Sequence, residues 1–139
     1  MKRDVAILML FNKEGKVLLQ HRAEHLERWP GYWGFFGGGI DEGETPEEGF
    51  KREIMEELGY RVEKPELLLQ EEYGGQHGYY GMKYVYTCEH DETQEFKLCY
   101  ESQGYGWFGL EEIEKLKDNR LHSEDYQSIM RIIEERTVE

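Results

Sequence analysis

Three glutamates, Glu53, Glu56 and Glu57, stand at the i, i+3 and i+4 spacing. On a helix turning about 100° per residue they fall within an arc of roughly 100° on one face. Like charges so placed repel one another and cost helix stability. A hard, oxygen-seeking cation offsets that cost: Mg2+ prefers carboxylates, keeps several waters and bridges to phosphate oxygens. Gly49 lies in the same arc one turn earlier and reads as room for an ion or a phosphate. Phe50, Ile54 and Leu58 occupy the adjoining face and are expected to anchor the helix to a sheet. Glu44 precedes the helix, and Arg52 within it is its expected partner, in a two-point contact that clamps the loop to the helix.

A solvated acidic face is the plainer reading, and three glutamates on a generic helix would favour it. Here the stretch from Asp41 to Glu57 holds eight acidic residues against Lys51 and Arg52. The run Gly37-Gly38-Gly39, a capped turn and the spaced glutamates occur together, and that combination favours a metal site. Other motifs fail. Asp41-Glu42-Gly43 does not match the acidic positions and central glycine of a calcium loop, and no Gly-Lys-Ser/Thr follows the glycines to make a P-loop.

The elements that must position these groups are legible in part. Thr45 is a good helix N-cap, Pro46 suits the first helical position, and Glu48 completes a capping box with Thr45. Glu47 and Glu48 complement the positive end of the helix dipole. Gly59, just after Leu58, is a natural stop. Upstream, Val5 to Phe11 and Lys16 to Arg22 read as strands joined by a hairpin turn at Asn12-Lys13-Glu14-Gly15. Ala23 to Tyr32 is a loop holding Pro30-Gly31. Trp33 to Phe36 reads as a short aromatic strand broken by the three glycines. Downstream, Glu66 to Tyr73, Tyr79 to Cys88 and Glu95 to Glu101 read as strands, with turns over residues 74–78 and 89–93, and Tyr105 to Phe108 as one more. Leu110 to Leu116 is a short helix with Leu110, Ile113 and Leu116 or Leu121 turned inward. Ser123 is expected to cap a last helix to about Arg136, with Tyr126, Ile129, Met130 and Ile133 as its apolar stripe. The order β-β-β-α-β-β-β-α-α favours an α+β fold or mixed α/β sandwich.

The chain has 139 residues, the size of one domain, and one domain over 1–139 is expected. Hydrophobic residues make up 38% and charged residues 34%, a globular rather than a disordered balance. No apolar run approaches the roughly 20 residues of a membrane helix, and the short N-terminal run lacks a cleavage site and reads as a strand. No membrane partner is expected. A net charge of −13 without a basic patch repels polyanions, which argues against a nucleic-acid partner. Cys88 and Cys99 form no CxxC pair and no zinc spacing; they read as reduced thiols, which fits a cytoplasmic location.

Taken together, Gly38-Gly39-Ile40-Asp41-Glu42-Gly43-Glu44, seven residues, and Arg52-Glu53-Ile54-Met55-Glu56-Glu57-Leu58-Gly59-Tyr60 resemble the Nudix box. Every polar and glycine position of that box is matched. Two departures stand out. Tyr60 replaces a bulky aliphatic at the last position, and Phe36 stands where many members carry the proline of Trp-x-x-Pro-Gly-Gly.

The resemblance, with a MutT-like member, implies a Nudix fold: an α+β arrangement with a mixed sheet sandwiched between helices (α/β/α). It implies Mg2+ or Mn2+ held by Glu53, Glu56 and Glu57, with the Gly38 carbonyl as a further ligand and Arg52 and Glu44 as structural partners. The expected reaction is attack of water on a phosphorus of a diphosphate, in a nucleoside triphosphate, oxidised or not, or a nucleotide sugar. Glu57, Glu56 and Arg52 are the catalytic candidates from the box. Glu57 is the first choice of base, and Glu101 is the second, as base or further ligand, against a surface role. Arg22 and Trp33 are candidate substrate contacts, through phosphate and base stacking respectively, although core packing is the stronger reading for Trp33. Tyr79, near the hairpin tip with His77 and Tyr80, is a third. The proline that marks ADP-ribose hydrolases downstream of the box, and the tyrosine that marks diadenosine polyphosphate hydrolases, are both replaced here by Gln76-His77-Gly78. The alternatives are a nucleotide-sensing module of the same fold without turnover, and an acidic interaction domain with no metal. Homodimerisation is left open.

Overall fold

The computed structural model describes residues 1–76 and 78–138, and the side chains of all of these except 75, 76 and 136–138. The chain forms two compact units. One comprises Met1–Leu10 and Phe36–Cys99, the other Phe11–Phe35 and Tyr100 onward.

The first unit carries the glutamate helix. Its sheet is mixed. Strand β1 (Val5–Leu8) pairs antiparallel with β4 (Phe36–Gly39) and parallel with β6 (Tyr79–Thr87), which in turn pairs antiparallel with β5 (Glu66–Gln76). The register aligns Ala6 and Leu8 with Gly38 and Phe36 on one side and with Tyr84 and Tyr86 on the other. Helix α1 (Pro46–Leu58) buries Phe50, Ile54 and Leu58 completely, and the Phe50 ring stacks on Tyr86 at 4.7 Å. Burial of such side chains contributes about 1.5–3 kcal/mol each. The caps form as the local sequence dictates. The Thr45 hydroxyl accepts from the Glu48 amide at 3.1 Å, the Glu48 carboxylate accepts from the Thr45 amide at 2.8 Å, and Gly59 closes the helix at φ 61°.

In the second unit, β2 (Val17–Arg22) lies between β3 (Trp33–Gly34) and β7 (Ser102–Phe108), antiparallel to both, with a register shift between His21 and Arg22. Val17, Leu18, Leu19 and Gln20 are all buried, and Gln20 donates through its amide to the Ser102 hydroxyl at 2.8 Å. Helices α2 (Leu110–Leu116) and α3 (Ser123–Val138) follow. The class is therefore α+β. No helix among the described residues is long and apolar enough to cross a membrane. Cys88 and Cys99 are not joined in a disulfide.

Several expectations are corrected. The turn at Asn12 forms, with the Asn12 side chain accepting from the amides of Glu14 and Lys16, but only Phe11 and Val17 bridge across it. The two flanking strands enter different sheets, so no β1–β2 hairpin exists. Trp33 to Phe36 is likewise divided between sheets, and the glycines continue β4 rather than break it. Close approach explains this: a side chain on Gly37 would collide with the Ala6 carbonyl of β1. Glu95 to Glu101 is not a strand. Its amides serve the end of α1 instead, Lys97 donating to the Leu58 carbonyl at 2.7 Å and Cys99 to Glu57 at 3.3 Å, which satisfies carbonyls that a helix terminus leaves open. β7 begins at Ser102, and β5 runs on to Gln76.

The last two helices also differ from expectation. Leu110 is 48% exposed, because so short a helix buries a single position, Ile113; Leu121 is buried beyond it. In α3 the first amide bond runs from Tyr126 to the His122 carbonyl, so Ser123 lies inside the first turn rather than at the cap. The buried stripe is Ser128, Ile129 and Ile132, whereas Tyr126, Met130 and Ile133 are only half-buried. The Asp125 carboxylate, on the same face, accepts from the Phe35 amide at 3.1 Å.

Candidate metal and catalytic site

Arg52 organises the loop before α1. Its Nε and Nη2 donate to the two Glu44 oxygens at 2.8 and 2.9 Å, and Nη2 also donates to the Gly39 carbonyl at 2.9 Å. Helix, loop and the end of β4 are thereby joined at one guanidinium. The Asp41 amide donates to Glu44 as well, at 2.7 Å. Arg52, and after it this amide, hold the Glu44 carboxyl down at about 2. Glu44 in turn raises the affinity of Arg52 for its proton above an already high value.

The three helix glutamates sit in unequal surroundings. Glu57 is buried at 7% exposure, the Glu53 side chain is 16% exposed, and that of Glu56 is 59% exposed. Glu53 lies against the backbone of Gly38, where an added Cβ would fall 2.6 Å from its carboxyl carbon. Arg52 Nη1 reaches Glu53 at 3.1 Å and both Glu56 oxygens at 3.3 Å.

Does this set fit a divalent cation? Its chemistry does: all the donors are oxygens, borne on one anchored helix beside a bare glycine backbone. The side chains do not converge. Among the described residues no three His, Cys, Asp or Glu side chains form a group that could hold a metal ion. Two of the three carboxylates point instead at the Arg52 guanidinium. The backbone placement and donor type fit, and rotation of exposed Glu56 and of Glu53 is what convergence would need.

Gly49 does not leave the room expected of it. A Cβ there would meet Ile40 at 3.1 Å and Glu44 Oε1 at 3.2 Å, so its bareness serves loop packing. Tyr60 is 1% exposed; its hydroxyl accepts from the Asp91 amide at 2.8 Å and donates to the Glu89 carbonyl. A satisfied phenol is what allows tyrosine at an aliphatic position. Phe36 is fully buried in β4.

Of the other candidates, Tyr79 belongs to the first unit, half-buried and paired with Gln76 at the start of β6. His77 lies outside the described residues. In the second unit, Glu101 occupies the turn before β7, where its carbonyl accepts from the Ala23 amide at 2.9 Å. Arg22 donates to the Arg28 carbonyl at 2.8 Å and the Trp29 carbonyl at 3.2 Å, and so braces its own loop. Trp33 stacks flat on His21 at 4.2 Å, with Phe108 edge-on at 4.9 Å, a packing role.

One feature of the site had no local signal. Asp41 links Arg52, at 3.3 Å, to Arg3, at 3.4 Å, and Arg3 lies over Gly39 where a side chain would otherwise be. Arg3 is remote from the box along the chain, and only the pairing of β1 with β4 brings it there.

With known proteins the agreement is broad. The NUDIX domain model matches residues 1–131. A nucleoside triphosphatase NudI of Enterobacter is 40% identical over 63 residues, 45% of each chain, so that match spans less than half of the relative. The Escherichia coli protein of the same name is 28% identical over 123 residues, covering 81% of this chain and 86% of the relative. The crystal structure of a MutT protein from Methanosarcina mazei superposes with a TM-score of 0.83 at 25% identity, over 97% of this chain and 95% of that one. With the box residues arranged as described and a family match over nearly the whole length, the chain belongs to the NUDIX domain family.

Proposed function

We propose that this chain hydrolyses the diphosphate linkage of a nucleoside diphosphate derivative with Mg2+ or Mn2+, and that a nucleoside triphosphate, oxidised or not, is its first substrate, ahead of a nucleotide sugar. The observation that carries this reading is the glutamate face of α1, held in place by the two-point Arg52–Glu44 contact. The name nucleoside triphosphatase, borne by the NudI relatives, supports the choice of substrate.

Glu53, Glu56 and Glu57, with the Gly38 carbonyl, would hold the cation. When bound, it neutralises phosphate oxygens and lowers the pKa of coordinated water. Arg52 and Glu44 keep the helix and the glycine strand in register, so the carboxylates meet the diphosphate from a fixed backbone. Glu57 is the buried carboxylate and the first choice of base. It takes the proton at a carboxylate oxygen as the water oxygen bonds to phosphorus and the bridging P–O bond breaks. Glu101 is kept as the second candidate base or ligand, and Arg22, Trp33 and Tyr79 as substrate contacts to be tested by substitution.

The test is a panel of nucleoside triphosphates, nucleotide sugars and dinucleotides with Mg2+ or Mn2+, scored for released phosphate, diphosphate and mononucleotide. Glu57→Gln is expected to lower turnover by about two orders of magnitude or more while circular dichroism stays unchanged. Turnover like that of the wild type in this variant removes Glu57 from the mechanism. Tight nucleotide binding with no turnover of any diphosphate would replace the hydrolase by a sensor.

A further inference from the structure

Arg52 reaches in two directions. Nε and Nη2 form one hand, which grips Glu44 and the Gly39 carbonyl at 2.8–2.9 Å. Nη1 forms the other, 3.1 Å from Glu53 and 3.3 Å from both oxygens of Glu56. The first hand is short and part-buried. The second is longer, and one of its partners is a largely exposed side chain. A divalent cation on this helix face would compete with Nη1 for the Glu53 and Glu56 carboxylates, of which Nη1 engages one Glu53 oxygen and both Glu56 oxygens.

We propose that Arg52 is an internal counter-ion exchanged for the divalent cation: Nη1 releases Glu53 and Glu56 as the cation binds, while Nε and Nη2 keep Glu44 and Gly39. This rests on the metal-binding reading given above and adds to it a competitor built into the chain. The physical need is plain. Three carboxylates on one face repel one another without a cation, and a guanidinium with five N–H donors serves two sets of acceptors at once. The positive charge that lets the face form then also opposes the metal. It accounts for carboxylates that lie on one face yet do not converge. Glu44 and Gly39 hold the guanidinium by its other edge, so release of Nη1 does not free the side chain.

Arg52→Lys separates exchange from simple support. Lysine keeps a positive charge for the loop but is a point donor that cannot span both acceptor sets. Exchange predicts that Mn2+, followed by the EPR signal of the free ion, binds this variant roughly two- to fivefold more tightly, the effect of losing one partly exposed ion pair. The metal-free variant should melt lower and gain more on adding metal. A purely supporting arginine predicts the opposite sign, weaker Mn2+ binding, and that result overturns the proposal.

The wild-type protein gives a second test that does not depend on the variant folding. In an Mg2+ titration followed by NMR, the Glu53 and Glu56 carboxyl carbons and the Arg52 Nη1 signal should move together, while the Arg52 Nε–H signal persists. Movement of the carboxyl carbons with Nη1 unchanged overturns the exchange and leaves the metal site standing. No movement of any Glu53, Glu56 or Glu57 carboxyl overturns both.

Discussion

At the scale of the residue, the charge pattern around Arg52 has a measurable pH signature. The Glu44 carboxyl lies at about 2 in the folded chain against an ordinary 4.5. A depressed carboxylate contributes stability that is fully present above the unfolded value and is lost as pH falls through the folded one. The stability difference between wild type and Glu44→Gln, read from urea unfolding, should therefore be constant from pH 7 to about 5. It should fall to somewhat under half by about pH 3, and to a small remainder by about pH 2, where the folded carboxylate is itself half protonated. A difference that does not change over that range would mean that Glu44 is not held by Arg52 in solution. The partnership of Glu44 with Arg52 was legible in the sequence, because two-point pairing is the natural use of a guanidinium near a carboxylate. The roles of Asp41 and Arg3 were not, since nothing local relates residues 38 positions apart.

At the scale of the element, α1 has both ends encoded within its own turns. Thr45→Ala removes the acceptor for the Glu48 amide and should cost about 1 kcal/mol, seen as a lower urea midpoint with an unchanged slope. A loss below about 0.3 kcal/mol would show that water replaces the hydroxyl at no cost. The fully buried Phe50, Ile54 and Leu58 were equally legible, because helical periodicity selects them. Glu95 to Glu101 misled for a related reason. A strand signal reports an extended backbone seeking partners; it does not say whether those partners are a neighbouring strand or, as here, the carbonyls at the end of α1. Gly37-Gly38-Gly39 misled similarly. Glycine weakens a strand in isolation, but here β1, Glu53 and Arg3 occupy the space that side chains would fill.

At the scale of the whole molecule, the dominant quantity is a net charge of −13. An anionic nucleotide approaches such a chain against its long-range field, which salt screens over a length falling from about 30 Å at 0.01 M to about 8 Å at 0.15 M. For the proposed nucleoside triphosphate substrate, kcat/KM at saturating Mg2+ should therefore rise as NaCl is added across this range. A fall would reveal a local attractive field strong enough to outweigh the total charge. Family membership was also legible at this scale, because the box concentrates its information in one short stretch, Gly38–Tyr60.

What the amino-acid order determined by itself is whatever depends on neighbours within about a turn of helix: the caps of α1, its buried stripe, the glutamates on one face, and Arg52 within reach of Glu44. What only the tertiary structure decided is which backbones pair and what fills the space beside each glycine. Backbone amides and carbonyls are chemically alike along the chain, so the choice of β4 and β6 as partners for β1 comes from the competition of the whole sheet. The placement of Arg3 over Gly39 follows from that choice. The direction of Glu53 and Glu56, by contrast, is set within α1 itself, by the Arg52 guanidinium one residue and one turn away.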